Sequence, residues 1–107
     1  MKTYSVTWTL PAIAALRDIY DFIRPDSPEG AKRVVTELVS LGNSLSTLPS
    51  RNPVEVLLAD EPVVYRFAVK WNYKIIYTIE SEDVMIVEVF DTRRDPRRLR
   101  ATFQAFK

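Results

Sequence analysis

Apolar and polar positions alternate from Tyr4 to Trp8, where Ser5 and Thr7 separate apolar neighbours, and this period of two predicts a short strand with one buried face. The period then lengthens. From Ala12 to Ile23 the positions Ile13, Leu16, Tyr20 and Ile23 recur at helical spacing, with Arg17, Asp18, Asp21 and Arg24 on the opposite side and Thr9 placed to cap the start. Arg24-Pro25-Asp26 breaks that helix, and Ser27-Pro28-Glu29 starts another: a hydroxyl for an orphan N–H, a proline suited to the first turn, and an acid at the positive end of the dipole. The stripe Ala31, Val34, Val35, Leu38, Leu41, Leu45 and Leu48 carries this second helix to about Leu48, and Gly42 beside the stripe predicts a close approach of the two helices. So short a linker makes an antiparallel helix pair, which needs a sheet to cover its apolar stripes.

Pro49 to Pro62 reads as an irregular, mobile connection holding at most one weak strand. Three strands follow, Val63 to Lys70, Tyr73 to Glu80 and Asp83 to Phe90, joined by the tight turns Trp71-Asn72 and Ser81-Glu82. In the middle one Tyr73, Ile75, Tyr77 and Ile79 form a buried face and Lys74, Ile76, Thr78 and Glu80 a half-polar one. In the last, Met85, Val87 and Val89 oppose Val84, Ile86 and Phe90, so both faces are apolar and the strand is central. A final short helix starts near Pro96. The expected fold is α+β: an N-terminal strand and an antiparallel helix pair packed on a mostly antiparallel sheet, order β-α-α-β-β-β, with a C-terminal helix or tail, all within one domain spanning residues 1–107.

Composition narrows the chemistry. The chain has neither cysteine nor histidine, which removes disulfides, thiol nucleophiles, thiolate or imidazole metal sites and histidine-based acid–base catalysis. No apolar run approaches the length of a membrane span, and MKTYSVTW lacks the apolar core of a signal peptide, so a cytoplasmic protein without a membrane partner is expected. The net charge of +1 conceals an asymmetry. Residues 92–107 hold six basic residues against Asp95 alone, a net +5, whereas residues 1–91 hold nine basic against thirteen acidic, a net −4. Arg93, Arg94, Arg97, Arg98 and Arg100 fall within eight residues, and arginine in such density suits bidentate contact with carboxylates or phosphates on a target or partner. The bland alternative is that Asp91 and Asp95 pair with some of them. Any proton transfer would fall to arginine, lysine, tyrosine or carboxylates, and the nuclease candidates are Arg66, Lys74 and Arg93. Across a hairpin Arg66 and Lys74 would share one sheet face, where like charge calls for an anion or carboxylate, with Glu80 or Glu88 as the bland partners. Tyr65, Trp71 and Tyr73 are possible stacking surfaces, although strand aromatics are more often core, as Trp8 is taken to be.

Ala15-Leu16-Arg17-Asp18-Ile19-Tyr20-Asp21-Phe22-Ile23, the Leu48-Pro49 helix exit, Tyr73-Lys74-Ile75-Ile76-Tyr77 and Val89-Phe90-Asp91-Thr92-Arg93-Arg94-Asp95-Pro96 together resemble the RelE/ParE superfamily of bacterial type II toxins, plasmid-stabilisation proteins among them. The resemblance spans nearly the whole chain and implies a growth-inhibiting toxin with a cognate antitoxin and no cofactor. It offers two activities. Ribonuclease members cut mRNA on the ribosome with an arginine at the position of Lys74 and a histidine or tyrosine near the C-terminus; here the strand cation is lysine, and Leu99 to Lys107 contains neither. The ParE-like branch poisons DNA gyrase by binding and carries the Arg-Arg-Asp-Pro ending. The resemblance therefore implies a gyrase inhibitor, with a ribosome-dependent endoribonuclease and a degenerate member that only binds its partner as the alternatives.

Overall fold

The computed structural model describes residues 2–93 and 96–105. Strand β1 (Ser5–Trp8) leads into α1 (Leu10–Ile23) and α2 (Pro28–Asn43), and β2 (Arg66–Lys70), β3 (Tyr73–Glu80), β4 (Asp83–Asp91) and α3 (Arg97–Ala105) complete the order. The sheet runs β1-β4-β3-β2, with β1 parallel to β4 and the other pairs antiparallel. This is the expected α+β architecture with β4 in the interior.

Local chemistry explains most boundaries. Ser27 Oγ accepts the Gly30 N–H at 3.0 Å and starts α2. Thr9 precedes α1 but does not cap it through its side chain. Its hydroxyl donates instead to the Ile86 carbonyl at 2.7 Å, beside a 3.0 Å bond from its own N–H, and so fastens the β1–α1 junction to β4. Helix α2 ends at Asn43, short of the expected Leu48, and continues as a 3₁₀ turn over Ser44–Ser46. Leu48 then takes a left-handed φ of 49°. The close approach at Gly42 is real, but it is to the sheet and not to α1. A Cβ there would stand 2.2 Å from Trp8 Cζ2 and 3.0 Å from Ile86 Cδ1. The indole lies across this glycine and donates through Nε1 to Asn43 Oδ1 at 3.0 Å.

The two helices cover one sheet face, packing Leu16 and Leu38 against Ile75, Tyr77, Val84 and Ile86. Full burial of such side chains contributes roughly 1.5–3 kcal/mol each. A second cluster on the opposite face joins Leu58, Ile76 and Leu99 to Phe67, Val87 and Phe90, so β3 is buried on both sides, Ile76 completely and Thr78 to 6% exposure. The expected grouping of Met85, Val87 and Val89 fails because a bulge opposite Ile76 and Tyr77 adds a residue to β4. Val84, Ile86 and Val89 face α1 and α2, while Val87 and Phe90 face the second cluster.

The connection after α2 is folded against the sheet by hydrogen bonds. It contains 3₁₀ turns at Pro49–Arg51 and Val56–Leu58 and a single bridge between Val54 and Arg66. Strand β2 consequently begins at Arg66, three residues later than expected.

Candidate functional site

The basic C-terminal segment leaves the sheet through a hydrogen-bonded corner. Asn72, in the β2–β3 turn, donates from Nδ2 to Asp91 Oδ1 at 3.0 Å, and its carbonyl accepts the N–H and hydroxyl of Thr92 at 2.7 and 2.8 Å. Asp91 in turn receives Arg93 three times: from the backbone N–H at 2.9 Å, from Nε at 3.1 Å and from Nη2 at 2.9 Å. The Arg93 guanidinium bonded to it holds the Asp91 carboxyl well below the usual carboxylate range. The turn before β3 thus orients the first arginine of the cluster. Trp71 supports this corner with a left-handed φ of 53° at the turn position where glycine is usual, its ring beneath the Lys70 ammonium.

The remaining arginines divide. Arg94 lies outside the described residues. Arg97 and Arg98 are exposed in the first turn of α3, and Arg100 pairs with Asp60 at 2.5 Å across the surface. Leu99, fully buried between them, seats α3 on the second cluster. Exposed ion pairs of this kind contribute at most about 1 kcal/mol, so the burial of this leucine holds α3 more firmly than the Arg100–Asp60 pair does. Between α1, the end of β4 and α3 opens a cleft of about 600 Å³, lined by Ile19, Phe22, Tyr73, Asp91, Arg93 and Arg98 among others.

Arg66 and Lys74 do not share a face. Arg66 stands opposite Tyr77 and Lys74 opposite Val69, and the alternation of side chains puts the two cations on opposite sides of the sheet. Arg66 Nη1 donates to the Asn52 carbonyl at 2.7 Å. Asn52 Nδ2 donates to the Tyr77 hydroxyl at 3.0 Å, and that hydroxyl donates to the Pro49 carbonyl at 2.5 Å. Burial pushes the Tyr77 phenol up from its ordinary value. Lys74 does find a carboxylate, but it is neither Glu80 nor Glu88. Its Nζ lies 2.7 Å from Glu55 Oε1 and 4.3 Å from the centroid of the Phe67 ring, and Glu55 is only 1% exposed. The other oxygen of Glu55 accepts the Leu57 N–H at 3.2 Å. Glu55 is the residue that sequence reasoning missed, and its isolation as an acid in the apolar run from Val54 to Leu58 was the available signal. Of the three aromatics weighed as stacking surfaces, Tyr73 is buried, Tyr65 packs in the second cluster, and Trp71 is half exposed. Among the described residues no cluster of three or more carboxylates offers a metal site, and no helix is long and apolar enough to cross a membrane.

An N-terminal strand, a helix pair, three further strands in a mixed sheet and a short C-terminal helix make up the α+β fold of the RelE/ParE toxins of type II toxin-antitoxin systems. Solved structures share it. A chain of the chromosomal ParDE system of P. aeruginosa superposes with a TM-score of 0.70 at 20% identity, covering 85% of this chain and 98% of that one. A chain of the RelBE2 toxin-antitoxin complex of Mycobacterium tuberculosis gives 0.60 at 23% identity, covering 83% and 98%. The candidate toxin Y4kP of Sinorhizobium fredii is 25% identical over 88 residues, 76% of this chain and 92% of its own length. The family of ParE toxins of type II toxin-antitoxin systems, parDE, matches residues 6–96, and this chain belongs to it.

Proposed function

We propose that the whole chain acts as one toxin domain in the cytoplasm, inhibits DNA gyrase by binding without catalysis of its own, and is neutralised by a cognate antitoxin. The observation that carries this reading is the ion pair of Lys74 with buried Glu55. At the position where the ribonuclease branch keeps a strand arginine for the substrate, this chain has a lysine committed to its own scaffold. Separation of Arg66 from Lys74 by the sheet, and the absence of histidine and cysteine from the sequence, support the same reading. Arg93, Arg94, Arg97, Arg98 and Arg100 then form the binding face, and the antitoxin opposes carboxylates to it.

Supercoiling by purified gyrase, assayed beside mRNA cleavage on translating ribosomes, tests the proposal. Inhibited supercoiling with intact mRNA is expected. Cleaved mRNA with unimpaired gyrase would overturn the proposal in favour of an endoribonuclease using Lys74, Arg66 and Arg93, and harmless overexpression without antitoxin would leave a chain that only binds its partner. Replacing Arg93 and Arg94 together by alanine is expected to abolish toxicity with the fold kept, since the ion pair of Arg93 with Asp91 is exposed and such pairs add little to stability. Full toxicity in that folded variant would exclude the arginine face.

A further inference from the structure

The connection after α2 runs antiparallel to β2 for a few residues and then parts from it. Val54 stands opposite Arg66, the Glu55 N–H donates to the Tyr65 carbonyl, and the Phe67 N–H donates to that of Pro53. Continued in that register, Arg51 would stand opposite Val69. The 3₁₀ turn Pro49–Arg51 lifts it off the sheet instead. Across the hairpin Lys70 pairs with Tyr73 and Ala68 with Ile75, so the N–H and carbonyl of Val69 point away from β3, as the N–H of Phe67 does. Among the described residues neither group of Val69 takes a main-chain partner on that side.

The gap so left is a cavity of about 280 Å³ between the end of α2 and β2. Leu41, Leu45 and Ala68 form its apolar side, Thr47 and Arg51 its polar side, and Val69 its edge. Positive charge collects here without a counterion. Among the described residues neither Arg51 nor Arg66 forms an ion pair with a carboxylate, and Arg66 Nη1 bonds to the neutral Asn52 carbonyl. Burial raises the Tyr77 phenol, while the Asn52 hydrogen bond and the charges of Arg66 and Arg51 act against it, so both guanidinium groups lie within electrostatic reach of that hydroxyl. In residues 1–91, whose net charge is −4, an arginine pair without an acid is a local departure.

A carboxylate and a phosphate would satisfy a guanidinium equally well. The strand edge separates them. A phosphate can accept from the Val69 N–H but gives the Val69 carbonyl no donor, whereas a peptide main chain matches both groups. The volume lies just below the range of about 300–1,000 Å³ usual for small-molecule pockets, and suits the end of a chain better than a cofactor.

We infer that this cavity binds the C-terminal carboxylate of a partner polypeptide. The carboxylate bonds to Arg51, the adjoining main chain pairs with Val69, and an apolar side chain rests on Leu45 and Ala68. None of the arginines of residues 92–107 takes part.

NMR titration of the isotope-labelled intact chain tests this, with three probes: an N-acetylated tripeptide ending in leucine with a free carboxylate, its C-terminal amide, and inorganic phosphate. The free acid is expected to shift the Val69 amide and the Arg51 Nε resonances saturably, with a Kd of about 1 mM, and the amide to bind at least about tenfold more weakly. Arg51→Gln is expected to abolish the preference for the acid while resonances far from the cavity stay in place, which shows that the chain remains folded. Val69→Pro removes a donor that does not pair with β3 and is expected to weaken the acid at least about tenfold. Equal affinity for acid and amide, or phosphate binding as tight as that of the acid, would overturn the inference. So would the absence of any saturable shift. Shifts by the acid centred on Arg93 and Arg98, with Val69 unmoved, would overturn it too and place the carboxylate on the C-terminal arginines.

Discussion

Replacing Lys74 by methionine keeps most of the volume of the side chain and its packing on Phe67 while deleting the ammonium. Glu55 is then left 1% exposed, with the Leu57 N–H as the bond that remains to it. Breaking a buried pair by removing one partner costs about 3–5 kcal/mol, because the surviving charge is uncompensated. Against a total stability of about 5–15 kcal/mol this is a large fraction, and it corresponds to a fall in Tm of roughly 12–25 °C for a chain of this size. Urea unfolding followed by the fluorescence of Trp8 and Trp71 measures it. The double variant Lys74→Met with Glu55→Gln is expected to recover about 1–3 kcal/mol relative to the sum of the single changes, the coupling typical of residues in contact. If the proposed arginine face is what inhibits gyrase, the double variant also keeps that inhibition, since neither side chain belongs to that face. A cost below about 0.5 kcal/mol for Lys74→Met would refute the view that the pair holds the 49–62 connection to the sheet. Loss of toxicity in the folded double variant would show that the lysine acts on the target after all.

Gly42→Ala is expected to destabilise by about 1–3 kcal/mol in the same urea experiment, since overpacking against the Trp8 indole outweighs the roughly 1 kcal/mol that alanine adds to a helix interior; net stabilisation would mean the indole lies elsewhere. Tyr77→Phe strips the Pro49 carbonyl and Asn52 of a shared partner and is expected to cost about 1–3 kcal/mol at neutral pH. Because the folded phenol titrates above its unfolded value of about 10, its contribution is complete below that pH and falls away as pH rises towards the native value. The stability difference between wild type and Tyr77→Phe should therefore narrow above about pH 10, and a difference that widens there would contradict the assignment.

The legible parts of the fold were those written in local patterns. The helix pair follows from period and caps, with Ser27 doing at α2 what its position promises. The bounds of β3 agree with the alternation from Tyr73 to Glu80. Other features depend on what lies across the sheet. Thr9 has a cap-forming side chain, yet the Ile86 carbonyl of β4 takes its proton. The bulge in β4 has no glycine to announce it, and one extra residue turns Val89 and Phe90 over, so that Val87 and Val89 lie on opposite faces. Asn72 looked like an ordinary turn residue, but it aims Asp91 and Thr92 and so governs the exit of the arginines.

The sequence by itself determined the element order, the central place of β4, the concentration of positive charge after Asp91 and, through the missing histidine and cysteine, the kinds of catalysis that are closed to this chain. These are properties of composition and of neighbours along the chain, and no contact is needed to read them. Only the tertiary structure decided which charges are spent internally. Lys74 and Glu55 are nineteen residues apart, and Arg100 and Asp60 forty, distances over which sequence carries no pairing rule. Whether a cation remains for a target depends on the carboxylate folded against it. The arginine run after Asp91 is therefore announced by the sequence, while the hydrogen-bonded corner of Asn72, Asp91 and Thr92 decides how its first member leaves the sheet.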